Sequence, residues 1–320
     1  MPRFAAAILL SSIAAAQSAQ QSDIAVAAKD PLTFAMYIQT HRAFDWNALW
    51  NALGGKDPQM KDPPCGETKD NPCSAQIVSI WNPDQVIVIV QGAQLNVNDI
   101  YLRYLHEANG SWRFAGEHRA VFNGYPRRHE IVQVDGRPIL KISSDCSQPD
   151  ANFTQEVEDW FDLTEPDMEP VFSFTANRNE HHVNENVGRT ISARTAFTQS
   201  AGVETIDLVL DVDFLGPSFD FEAIYVGIYD RPRAAKTFTL RKAYSGLDRR
   251  VAIPPEDFEV LAGIGNREPS NEQLLAYAFP GLQKIAAGSA GDAKQWLRSI
   301  LDNAKDTPEK RSLLQSLERR

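Results

Sequence analysis

The sequence predicts an α+β fold that is mostly β. An antiparallel meander forms a barrel or sandwich, with one N-terminal helix and several short C-terminal helices. Three observations predict it. Apolar and polar residues alternate with a period of two between residues 75 and 250. Turn dipeptides interrupt that alternation at short intervals, which favours hairpins over helical crossovers. Helical spacing is confined to the segments before and after it. The composition suits a packed core, with 43% of 320 residues apolar and 23% charged.

Residues 1–20 have the form of a signal peptide. Arg3 precedes an apolar run that ends in small residues around Ala16. The run is shorter than the roughly 20 residues a bilayer demands. A secreted or periplasmic protein is therefore expected, with no transmembrane segment in its mature chain.

Residues 21–74 hold a helix and a cysteine-containing loop. Asp30 is a good N-cap, and Pro31 falls at the first helical position, where its missing N–H costs nothing. Met36, Ala43, Trp46, Leu49, Trp50 and Leu53 recur at helical spacing up to Gly54-Gly55. The loop beyond is rich in proline and charge and contains Cys65 and Cys73. Export favours oxidation. A Cys65–Cys73 bridge would contribute about 2.5 kcal/mol by restricting the unfolded chain. Cys146 is then left over, either buried or the true partner of one of the other two.

Residues 75–250 form the predicted antiparallel β domain. Candidate strands begin at Ile77–Ile80 and Val86–Val90 and end at Lys236–Lys242. Asn109-Gly110 and Asp135-Gly136 sit between such runs, where a two-residue hairpin needs positive φ at both central positions. The alternation is clearest over Glu204–Phe214. Ile206, Leu208, Leu210, Val212 and Phe214 share one face, and Thr205, Asp207, Asp211 and Asp213 the other.

Residues 251–320 return to helical spacing and are expected to pack on the sheet domain. Thr307-Pro308 opens the last helix, with Leu313, Leu314 and Leu317 on one stripe.

Several chemistries are excluded. A net charge of −10 argues against general nucleic-acid binding. Ser289 in Ala287-Gly-Ser-Ala-Gly291 is no nucleophile elbow, because every histidine lies at or before residue 182. Gly263-Ile-Gly265 lacks the third glycine of a dinucleotide fingerprint. No Cys-x-x-Cys or His-Glu-x-x-His occurs.

Three constellations remain. Asn179–Asn186 contains His181-His182 and reads first as a solvated turn. Alternation would nevertheless place Glu180 and His182 on one face, where they are the candidate ligands of a divalent metal. Arg127, Arg128 and Trp112 are the candidate binding residues: the two bases suit an anionic ligand, and the tryptophan could line a pocket. Finally, residues 150–169 carry eight acids and no base, while residues 101–141 carry seven bases and four acids. These two stretches are expected to pair with each other.

The leading expectation is a non-catalytic binding or interaction protein of a bacterial envelope, without a cofactor. Its partner is a small molecule or an envelope protein. One alternative is a metal- or carboxylate-dependent hydrolase centred on residues 180–185. Another is a structural subunit that docks through its C-terminal helices.

Overall fold

The computed structural model describes residues 23–318, apart from 56–62, 81, 93–95, 124–127, 146–152, 183–186, 217, 247–250, 265–266 and 289–290. The expected signal peptide, Cys146 and Arg127 therefore lie outside the described residues. The fold is mostly β, with two open antiparallel sheets and flanking helices, and its layering is that of a sandwich and not of a closed barrel.

The four-stranded sheet runs in sequence order: β1 (Cys73–Ser79), β2 (Gln85–Gly92), β3 (Asn96–His106) and β4 (Trp112–Asn123). The nine-stranded sheet also keeps sequence order. It contains β5 (Arg128–Val134), β6 (Arg137–Asp145), β7 (Phe153–Asp162), β8 (Phe172–His182) and β9 (Val187–Ser200). It continues through β10 (Val203–Gly216), β11 (Phe219–Pro232), β12 (Thr239–Ser245) and β13 (Val251–Ile253). The chain divides into two compact units. The first comprises residues up to 144 together with 161–169, and the second residues 145–160 and 170–320.

In the first unit, the helical pattern over residues 30–53 resolves into two helices, α1 (Pro31–Thr40) and α2 (Trp46–Leu53). Asp30 caps α1 by accepting from Thr33 N at 2.8 Å. Asp45 begins a new helix by accepting from Asn47 N and Ala48 N, and a capping side chain of this kind opens a helix rather than continuing one. The Cys65–Cys73 disulfide forms. The two helices pack Phe34, Ile38, Leu49 and Trp50 against Val88, Val90, Leu102 and Tyr104 on one face of the four-stranded sheet. The other face places Ile87, Ile89 and Tyr101 against Leu140, Ile142, Phe161 and Leu163. Covering on both faces explains why β2 reads as an unbroken Val-Ile run.

In the second unit, β10 keeps the predicted alternation, with Ile206, Leu208, Leu210, Val212 and Phe214 all buried. Its other face carries the acidic row, where Arg194 pairs with Asp211 at 2.8 Å. Five helices follow: α3 (Pro255–Leu261), α4 (Asn271–Tyr277), α5 (Phe279–Gly288), α6 (Gly291–Asn303) and α7 (Pro308–Glu318). They lie over the apolar face. A side chain at Gly227 would strike Phe258 of α3, and one at Gly281 of α5 would strike Phe221. Trp296 of α6 stacks on Phe219 at 4.4 Å. Leu313 and Leu317 of α7 are buried, and α7 packs chiefly on α5. Among the described residues, no helix is long and apolar enough to cross a membrane.

Candidate functional site

The first unit contains a cleft of about 410 Å³, lined among others by Trp50, Arg113, Phe114, Glu117, Asp167 and Met168. Its construction begins at a buried arginine. Arg103 of β3 is 2% exposed, and its guanidinium is satisfied by carbonyl groups and an amide. Nε and Nη2 donate to Gln85 Oε1 at 3.2 and 2.8 Å. Nη2 also donates to Leu163 O, and Nη1 donates to Glu165 O at 2.6 Å and Asp167 O at 3.0 Å. Burial pulls its pKa down, while the charges of Asp162 and Asp167 oppose that. One side chain thus fixes the backbone of residues 163–167, and with it the wall formed by Asp167, Met168 and Glu169.

The facing wall comes from β4. Its register shifts opposite Arg103 and Tyr104, so that Arg103 pairs with Gly116 and Tyr104 with Phe114. The bulge turns the strand. Gly116 adopts φ +145°, and a Cβ there would sit 3.2 Å from the backbone nitrogen of Met168. Glycine is needed at this place for both reasons. Phe114 meets Trp50 edge-on at 5.7 Å between centroids, which gives the floor an aromatic corner.

The second unit holds a buried ion cluster. Arg189 of β9 grips Glu180 of β8 bidentately, Nε to Oε2 at 2.7 Å and Nη2 to Oε1 at 2.9 Å. Arg178 Nε approaches Glu180 Oε1 at 2.5 Å. Arg178 also donates to Gly263 O at 2.8 Å and lies over the Phe153 ring, tying the end of α3 to the sheet. Burial alone would raise the Glu180 pKa. Hydrogen bonding and charge from Arg189, then from Arg178, outweigh it and hold the carboxyl below the usual range. Glu180 and Arg189 also line a cavity of about 200 Å³ with Phe214, Leu274, Trp296 and Ile300.

The sequence candidates fall as follows. Glu180 is a strand residue, 3% exposed, not part of a solvated turn. Both its oxygens face arginine, so it would have to leave an ion pair before ligating a metal. His182 ends β8 opposite Val187, and its side chain lies outside what is described. Residues 183–186, the rest of that stretch, lie outside the described residues. Arg128 is exposed at the start of β5, opposite Ser143. Trp112 is half-buried against the helix-side core, edge-on to His106 at 4.9 Å. It does not line the cleft, but its neighbours Arg113 and Phe114 do. Tyr101, Tyr104 and Trp160 are core.

The acidic and basic stretches meet in the first unit. Arg137 pairs with Asp162 at 2.6 Å, and Arg103 reaches the backbone of the acidic segment rather than its carboxylates. The importance of Arg103, Gly116 and Arg189 was missed by sequence reasoning. An arginine inside Ile100–His106, at a position that should face inward with Tyr101, was the available signal for the first. The i, i+2 pair Arg178 and Glu180 was the signal for the cluster around Arg189. Compared with protein-family models, curated proteins and solved structures, the chain matches none.

Proposed function

We propose that the chain is an exported, non-catalytic binding protein of a bacterial envelope. On this reading the first-unit cleft receives a small organic cation with an apolar portion. The observation that carries the reading is the lining of that cleft. Its volume, about 410 Å³, lies within the range of roughly 300–1,000 Å³ typical of small-ligand sites. Trp50, Phe114 and Met168 supply apolar and aromatic surface. Three carboxylates, Glu117, Asp167 and Glu169, line it beside one guanidinium, Arg113; Arg113 pairs with Glu107 at 3.1 Å and Glu117 with Arg119 at 3.4 Å. Carboxylates beside aromatic rings favour a cation through charge and through the ring faces. Arg103 holds one wall in place before any ligand arrives, which lowers the ordering cost of binding. The leader-like residues 1–20 and the Cys65–Cys73 bridge support export.

The test is calorimetric titration of the full chain with benzyltrimethylammonium. Saturable binding of the cation is expected, weakened about tenfold in a Glu117→Gln/Glu169→Gln double variant, as loss of charge complementarity predicts. No saturable binding of the cation, or no effect of the double substitution, would refute the reading.

A further inference from the structure

We propose that the second-unit cavity is a binding site for a small carboxylate with a short apolar body. The proposal rests on residues of the second unit alone and does not depend on the cleft of the first.

The argument starts from the donors of Arg189. A guanidinium has five N–H groups. Nε and one Nη2 hydrogen go to Glu180, and one Nη1 hydrogen makes a long 3.5 Å bond to Val260 O. One N–H on each terminal nitrogen is left without a bond among the described residues. Such a pair matches the two oxygens of a carboxylate. Arg189 is 2% exposed, so donors left empty there carry a desolvation cost that a ligand would remove.

The rest of the cavity fits the rest of the ligand. Phe214, Leu274, Trp296 and Ile300 offer an apolar lining, in a volume of about 200 Å³. Glu268 and Asn271 also line it. They divide the ligands sharing this chemistry into plain carboxylates and amino acids, whose ammonium group would face Glu268.

The experiment is calorimetric titration of the full chain with benzoate and leucine. At least one of the two carboxylates binds saturably at one site per chain. Tighter binding of benzoate identifies the plain carboxylate. Tighter binding of leucine, with that preference lost in Glu268→Gln, identifies the amino acid. Arg189→Lys weakens binding tenfold or more, in keeping with loss of a bidentate partner. Because Arg189 also holds Glu180, a second variant, Leu274→Phe, narrows the cavity and leaves the ion cluster intact. It is expected to fold normally by circular dichroism and to bind at least tenfold more weakly. Absence of binding by both carboxylates, or undiminished binding in Leu274→Phe, overturns the proposal.

Discussion

At the scale of single residues, the two units each depend on arginines that composition alone does not distinguish from surface ones. Arg103 and Arg189 are 2% exposed, yet each has partners that make burial tolerable. For Glu180, the electrostatics give a signed prediction. Its folded pKa lies below the ordinary value of 4.5, so its ionised form stabilises the fold above that pH. The contribution fades as pH falls through the lower folded value, because protonation leaves two buried guanidinium groups without their counterion. Glu180→Gln should cost about 3–5 kcal/mol near neutral pH. It should also remove part of the acid-induced loss seen in urea midpoints of the unmodified protein below pH 4.5. A parallel pH dependence in the two proteins would contradict this. Gly116→Ala is expected to destabilise the first unit by about 1–3 kcal/mol, measurable by chemical denaturation. The cause is its φ of +145° and the Met168 backbone 3.2 Å from any Cβ. None of this was legible in the one-dimensional pattern, because a buried arginine and an exposed one look the same until a partner strand is placed beside them.

At the scale of elements, the periodicity was a good guide and the turns a mixed one. Asp135-Gly136 forms the two-residue hairpin its chemistry predicts, with φ of 51° and 77° and Val134 paired to Arg137. Asn109-Gly110 does not. Only Gly110 has positive φ, and Asn109 instead uses its side chain to accept from Ser111 N at 2.8 Å. The loop there is longer, closing between His106 and Trp112. Conversely, Ala201-Gly202 makes a tight turn with φ of 51° and 78°, although alanine gives no such signal. The C-terminal helices were readable because proline and Ser/Thr caps punctuate them. Thr307 accepts from Lys310 N at 3.2 Å, and Ser270 and Gln273 form a capping box. The cysteine loop was legible through spacing and compartment. Replacing Cys65 and Cys73 by serine should lower stability by about 2.5 kcal/mol, checked by urea unfolding. An unchanged midpoint would mean that the bridge does not constrain the unfolded chain.

At the scale of the whole molecule, the sequence disclosed sheets, helices and their order, but not the cavities. A cleft exists only where distant segments converge. Residues 50–54, 113–117 and 167–169 meet because Arg103 binds three carbonyls of the acidic segment and because β4 carries a bulge. Neither event leaves a periodic trace. The account's central claim is that this cleft takes an organic cation. The most direct test is a titration of protein carrying ¹³C-methyl methionine with benzyltrimethylammonium, followed by NMR. Of the four methionines, Met168 lines the cleft, while Met36 is 56% exposed on α1 and serves as an internal control. The account predicts a saturable shift of the Met168 methyl with Met36 unmoved. A Met168 signal that stays in place, or one that drifts together with Met36 without saturating, would contradict it.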